Sequence, residues 1–208
     1  MSKDAIIVGY SGHAYVVCDL LQLNGISIIG YCEKTETRTN PFGLRYLGDE
    51  NEQSLLTILS TGLIYLGVGD NYIRAKAYKY LNSHSLSLPS LCHQGATISS
   101  SANLGSGTVV MASAVVNALV DIGDGVICNT GSIIEHECQI GDFSHVAPGA
   151  VLAGNVRVGQ NSFIGANSVI KQGIKIGSNV VIGAGSVVLN DIHDDEIVAG
   201  NPAKSLRI

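Results

Sequence analysis

The sequence predicts two units of different class. Residues 1–95 read as an α/β unit with a small parallel, Rossmann-like sheet, and residues 96–208 as a three-sided coil of stacked parallel strands with a short C-terminal tail. Three observations carry this. From Ile98 onward an apolar residue recurs at every sixth position without insertion. Glycines recur eighteen apart over the same stretch. Before residue 95 neither period holds, and short apolar runs alternate with helix-spaced ones.

In the first unit, residues 5–10 form an apolar strand, and Ser11-Gly12-His13 is a turn. Residues 13–23 have helical spacing, stopped by Asn24-Gly25. Residues 26–32 read as a second strand, 50–59 as a second helix and 63–68 as a third strand. Asp70 or Asn71 caps a helix to about Leu81. Residues 86–91 are expected as a last strand leading into the coils, with the change of unit near His93–Thr97. Strand–helix alternation implies a parallel sheet, and such sheets bind ligands at the carboxyl ends of their strands. Those ends are Gly9 to His13, Tyr31 to Lys34, and Gly67 to Asn71. The spacing G-x-x-G at Gly9 and Gly12 is not the dinucleotide fingerprint, but the following helix offers free N–H groups to a phosphate.

In the second unit the sixth-position leads run from Ile98 to Val188, and all are aliphatic except Cys128. Four residues after each lead comes a mostly small or β-branched residue, such as Thr108, Ser132, Ser144 or Ser162. Gly105, Gly123, Gly141, Gly159 and Gly177 mark the longer period, which is three times the shorter. Three flat faces with a corner after each satisfy both periods. The leads then fill a prism interior, the small residues let coils close up, and glycine sits where the corner is tightest.

Composition narrows the function. The net charge is −5 and no basic run exceeds two residues, which excludes a nucleic-acid partner. No apolar run approaches the roughly 18 residues of a membrane span. The start, Met1 to Gly9, lacks the apolar core and cleavage site of a secretory signal. Five cysteines without C-x-x-C spacing read as reduced, buried thiols, so the expected location is cytoplasmic.

The chemistry concentrates in Asn129 to Cys138 and Ser144-His145. His136 follows a lead by two places, so it points outward near a corner. An imidazole with a pKa near 6.5 suits removal of a proton from an amine at neutral pH. Glu135 and Glu137 flank it, and either carboxylate would fix its tautomer. Gly154 is one full coil beyond His136, about 5 Å away, and its bare backbone admits a substrate. His145 lies one and a half faces from His136. A prism side is roughly 20 Å, so the two imidazoles do not share a site within one chain. In a three-fold assembly, His136 of one chain meets His145 of its neighbour.

The six-residue repeat resembles the hexapeptide-repeat family, which implies a left-handed parallel β-helix. The segments Gly9-Tyr10-Ser11-Gly12-His13 and Gly69-Asp70-Asn71-Tyr72-Ile73-Arg74 resemble the nucleotide-sugar-binding domain of the bacillosamine and sialic-acid acetyltransferase group. That resemblance implies substrate contacts at Ser11, Gly12, His13, Glu33 and Gly69, with Lys34 standing where the group has a second acid. His136-Glu137-Cys138 through Ser144-His145 is similar to the signature of UDP-4-amino-sugar N-acetyltransferases. It implies His136 as general base, Glu137 raising its basicity, Asn129 as an active-site residue, and His145, Gly154, Ala166 and Gly183 along acetyl-CoA. The implied protein is a metal-free, acetyl-CoA-dependent homotrimer with intersubunit sites. It acetylates the 4-amino group of a nucleotide-linked 4-amino-4,6-dideoxy sugar, UDP favoured, for surface glycans.

Other readings fit less well. A sialic acid O-acetyltransferase shares the fold, and a non-catalytic nucleotide-sugar binder would not need the His136-Glu137 pair. A zinc hydratase needs three close histidines, and the repeat offers only His136, His145 and His193, widely spaced. Lys171, Lys175, Lys204 and Arg207 are positioned late enough to meet CoA phosphates, but read better as solvated charges.

Overall fold

The computed structural model describes residues 4–206. Met1 to Lys3, part of the leader argument, and Arg207 lie outside the described residues. The chain divides into two compact units, Met1–Leu91 and Cys92–Ile208.

The first unit is a four-stranded, all-parallel sheet. Its strands are β1 (Ala5–Val8), β2 (Ile28–Cys32), β3 (Tyr46–Gly48) and β4 (Leu63–Leu66), in the order β3-β2-β1-β4. Helix α1 (Gly12–Leu23) connects β1 to β2, and α3 (Asn71–Ser83) follows β4. Asp70 caps α3, its Oδ1 accepting from the Ile73 N–H at 2.9 Å. All of β1 is buried, which is why it reads as a continuous apolar run.

Three expectations need correction. β3 was not expected; three half-buried residues are too few to show a period. Gly30 makes room for it, since a Cβ there would stand 2.5 Å from the Arg45 carbonyl oxygen. The helix expected over 50–59 shrinks to a 3₁₀ turn at Gln53–Leu55 and one α turn, α2 (Leu56–Leu59). Its start is lost because the Asp49 carboxylate accepts from the Asn51 N–H at 2.9 Å, a local bond that competes with the helix. Residues 86–90 are not a strand. The Ser87 carbonyl accepts one bond from the Ile64 N–H, and Pro89 has no N–H to extend a ladder.

The second unit is a parallel β-helix. Two-residue strands stack into faces of eight, six and five strands. Up to Val188 strand residues pair with those eighteen further on, as in Asp121↔Gln139↔Arg157↔Lys175, while the last coil pairs sixteen apart, as in Val181↔Ile197. The leads form one continuous buried core, with Ile98 and Leu104 partly buried at its start. The small residues do more than let coils close up. Ser144 Oγ donates to the Gly159 carbonyl at 2.8 Å and accepts from the Ser162 N–H at 3.0 Å, and Ser162 repeats the pattern with Gly177 and Val180. These hydroxyls satisfy buried corner backbone from one coil to the next.

The glycine argument also changes. Gly141 and Gly159 are not left-handed; a Cβ on them would press into Gln160 N at 2.6 Å and Ser178 N at 2.5 Å of the next coil. The left-handed corner falls three residues after each lead from Leu104 to Ile182, where Gly and Asn dominate, as at Gly131, Asn155 and Asn161.

The faces differ in what they show outward. The five-stranded face presents Asp121, Gln139, Arg157 and Lys175, all exposed. The six-stranded face presents Val115, Ile133, Val151, Val169 and Val187, and the eight-stranded face His145, Phe163 and Val181, while Val109 and Ile127 of that face are buried. Val169 and Val181 are 43% and 39% exposed. Among the described residues no helix is long and apolar enough to cross a membrane.

Candidate active site

His136 stands where the chain leaves the six-stranded face after Ile133–Ile134. Its Nδ1 lies 3.0 Å from Glu137 Oε2, while their side chains remain 51% and 59% exposed. Of the two flanking acids, Glu137 makes this bond. A carboxylate only accepts, so Nδ1 carries the proton and Nε2 keeps its lone pair. A surface pair of this kind contributes about 0–1 kcal/mol to stability. Its consequence is orientation of the ring.

Two backbone bonds hold the corner. Glu137 N–H donates to the Ala118 carbonyl at 3.0 Å, and the His136 carbonyl accepts from the Asn155 N–H at 2.8 Å. Glu137 adopts φ 62, a conformation that is uncommon for a residue with a Cβ. Gly154 lies against the ring: a Cβ there would be 2.6 Å from His136 Nε2. Any side chain at that position would displace the imidazole.

Asn129 and His145 form a second group. Asn129 Oδ1 accepts from the Thr130 N–H at 2.8 Å, which turns Nδ2 toward His145 Nε2 at 2.9 Å. His145 therefore accepts at Nε2 and carries its proton on Nδ1. Phe163 meets the ring edge-on, with centroids 5.0 Å apart. Gly183 follows Ile182 on the same eight-stranded face. Its Cβ would touch Ala199 Cβ at 2.7 Å. The Ala166 carbonyl, at the adjoining corner, accepts from the Gly185 N–H at 2.8 Å. Within one chain, Asn129 thus stands beside His145 rather than His136, and the six-stranded face separates the two groups.

The first unit holds a cavity of about 380 Å³ at the carboxyl ends of β1, β2 and β4. Ser11, Glu33, Lys34, Glu50, Gly69 and Asp70 line it. Glu33 Oε1 accepts from the Tyr10 N–H at 2.7 Å, which ties the end of β2 to the end of β1. The Ser11 side chain does not cap α1, and N–H groups of a helix's first turn without such a cap suit an anion. Gly12 is exposed at that turn and does not line the cavity.

His13 does not line it either. It packs under Gly69, whose Cβ would stand 3.5 Å from the His13 Cβ. Burial, then the Arg74 charge, lowers its pKa to about 4, so the ring is neutral. Its place is support beneath the loop. Arg74, at the end of the Gly69-Asp70-Asn71-Tyr72-Ile73-Arg74 segment, is 1% exposed and organises this loop. It donates to the Gly69 carbonyl at 2.8 Å, the Val68 carbonyl at 3.3 Å and Asn71 Oδ1 at 2.8 Å. Burial lowers its pKa to about 10, opposed by Asp70. Glu50 was not foreseen as a cavity residue. Burial first, then Asp49 and Glu33, raises its pKa.

Lys171, Lys175 and Lys204 are exposed. Lys175 belongs to the charged five-stranded face. Among the described residues no three His, Cys, Asp or Glu side chains are grouped to hold a metal ion.

Two family models match the chain: the PglD N-terminal domain over residues 4–81, and the hexapeptide repeat of succinyl-transferase over residues 155–190. No curated protein sequence matches. Among solved structures, the acetyltransferase domain of PglB from Neisseria gonorrhoeae FA1090, in complex with acetyl coenzyme A, is 38% identical. The match covers 99% of this chain and 100% of that one, with a TM-score of 0.92. A histidine-to-alanine mutant of GDP-perosamine N-acetyl transferase from Caulobacter crescentus, in complex with CoA and GDP-perosamine, is 33% identical. There the coverage is 99% and 97%, and the TM-score 0.93. WeeI from Acinetobacter baumannii AYE, at 22% identity, 98% and 99% coverage and TM-score 0.83, shares the fold.

Proposed function

The chain belongs to the family of hexapeptide-repeat sugar acetyltransferases with a PglD-type N-terminal domain, and from that premise we propose that it acetylates the 4-amino group of a nucleotide-linked 4-amino-4,6-dideoxy sugar. It is an acetyl-CoA-dependent N-acetyltransferase. The observation that carries the finer reading is the His136–Glu137 bond at 3.0 Å with Nε2 left as the basic atom.

The sugar amine attacks the thioester carbonyl of acetyl-CoA. His136 Nε2 takes the amine proton as the C–N bond forms. The C–S bond then breaks, and the proton passes to the departing CoA sulfur. Glu137 stabilises the imidazolium between these steps and keeps Nε2 aimed outward. Gly154 leaves room for the thioester against the ring. The cavity of the first unit takes the nucleotide, its phosphates toward the uncapped start of α1 and its hydroxyls and base toward the carboxylates.

Each site lies between two of three copies of the chain. Two apolar faces and one charged face suit a cyclic trimer in which the eight-stranded face of one copy covers the six-stranded face of the next. That closure brings the His136 group of one chain against the Asn129–His145 group of its neighbour, with CoA running past Ala166 and Gly183. Both co-substrates are cytoplasmic metabolites, which puts the reaction there.

UDP is the carrier favoured by the sequence resemblance, while one relative holds GDP-perosamine. Acetyl-CoA consumption measured against UDP-, GDP- and dTDP-linked 4-amino-4,6-dideoxy sugars decides it, with CMP-linked and free sialic acid as controls. Turnover of a nucleotide amino sugar supports the proposal. Turnover of sialic acid alone replaces it with O-acetylation.

A further inference from the structure

Leu119 has no role in the fold that accounts for it. It occupies the left-handed corner position with φ 60, and its side chain is 64% exposed. From Gly107 to Gly185 every residue three after a lead is left-handed, and ten of these fourteen are Gly or Asn. The exceptions are Ser113, Leu119, Glu137 and Phe143. Phe143 is buried, and Glu137 bonds the imidazole. A branched apolar side chain that is both strained and exposed needs a reason outside the coil.

Its position supplies one. Leu119 lies one coil before Glu137, in the same corner column. The Ala118 carbonyl beside it accepts the Glu137 N–H at 3.0 Å. The Leu119 N–H in turn donates to Ser101 Oγ at 3.1 Å. The conformation is thus held from the coils on both sides. Neighbouring coils are about 4.8 Å apart, so Leu119 presents an apolar surface one coil before the His136 corner, on the side opposite Gly154.

In a 4-amino sugar, C6 is attached to the ring carbon next to the one bearing the amine. With the amine at His136 Nε2, the C6 group falls within about one coil spacing of it. We propose that Leu119 is a specificity-determining residue that packs on the C6 methyl of a 6-deoxy sugar and disfavours a C6 hydroxyl. This rests on the 4-amino-sugar reading of the site. A methyl gains contact there, whereas a hydroxyl loses water without a partner. One such group in an apolar contact is worth roughly 10-fold in kcat/KM.

The test compares UDP- and GDP-linked 4-amino-4,6-dideoxy sugars with their 6-hydroxy counterparts, in the wild-type chain and in Leu119→Asn and Leu119→Met. Asn already fills this corner at Asn155, so the first variant keeps the fold, and its thermal midpoint checks that. The expected result is a roughly 10-fold wild-type preference for the 6-deoxy sugar, retained in Leu119→Met and lost in Leu119→Asn. An unchanged preference in Leu119→Asn overturns the proposal. So does an equal loss on both sugars with dissociation of the assembly, which would make Leu119 a subunit contact. A wild-type chain that acetylates neither sugar removes the 4-amino-sugar reading itself.

Discussion

The cavity of the first unit and the His136 corner of the second are built on opposite plans. The cavity is complete in its own unit: Glu33 is tied to the Tyr10 backbone, and a buried Arg74 pins the Val68 and Gly69 carbonyls. The corner is half exposed, with a bond to Glu137 that water and salt would weaken. A concave site selects and holds a ligand by itself. A convex one gains catalytic strength only when something excludes water from it. This corner lies between the apolar six-stranded face and the charged five-stranded one, and in the proposed assembly a further copy of the chain covers the apolar side.

This contrast can be broken at its strongest point. His136→Ala should cost about 10²–10⁴ in turnover and leave nucleotide affinity, measured by calorimetry, unchanged. A comparable loss of affinity would mean that the two places are not separable. A next test mixes inactive His136→Ala chains with Asn129→Ala chains. If the site is shared, the refolded mixture is well above either parent in activity. A mixture no better than its parents would put each site within one chain.

Arg74→Met probes the cavity. It leaves two loop carbonyls without their donor, so stability should fall by about 2 kcal/mol, and KM for the nucleotide sugar should rise more than kcat falls. A kcat effect of equal size would tie the loop to the chemistry.

Acid should separate the two plans by a smaller margin. The folded pKa of His13 is lowered to about 4, below the value near 6.5 of the unfolded chain. Between those values the unfolded state binds more protons, so stability falls as pH falls through the window. The slope is about 1.4 kcal/mol per unit of pH for this one group. Amide protection factors in the first unit, corrected for the intrinsic exchange rate at each pH, should therefore fall from pH 6.5 toward pH 4, and His13→Gln should flatten that response. An unaltered acid response in the variant would show that other groups dominate.

The smallest effect concerns the strained corner. Glu137→Asn relieves the left-handed conformation that Asn tolerates well. The thermal midpoint should hold or rise by a few degrees while turnover falls about 10-fold. A lower midpoint would show that Glu137 serves the fold.

The β-helix was legible because its rule is repeated from Ile98 to Val188, and each repeat restates the same burial. The α/β unit was legible where apolar runs were long, as in β1 and α1. It was not legible at β3, at the Asp49 turn or at Pro89, where a few local bonds decide and no period exists. The candidate residues were found as chemical types, but their grouping was only partly visible. Asn129 was implied as an active-site residue by resemblance alone, and the coil puts it beside His145. Arg74 and Glu50 carried no pattern that distinguishes a buried ion from a solvated one.

The sequence alone therefore determined the two units, the three-sided coil, the outward direction of His136 and its flanking acids. All of these follow from hydrophobic period and adjacency along the chain. Only the tertiary structure decided that Glu137 rather than Glu135 meets the imidazole, that Gly154 lies against its ring, and that His13 is a neutral support beneath Gly69. Those depend on which atoms a left-handed corner or a packed loop brings within bonding distance across coils and strands, and spacing along the chain does not encode that distance.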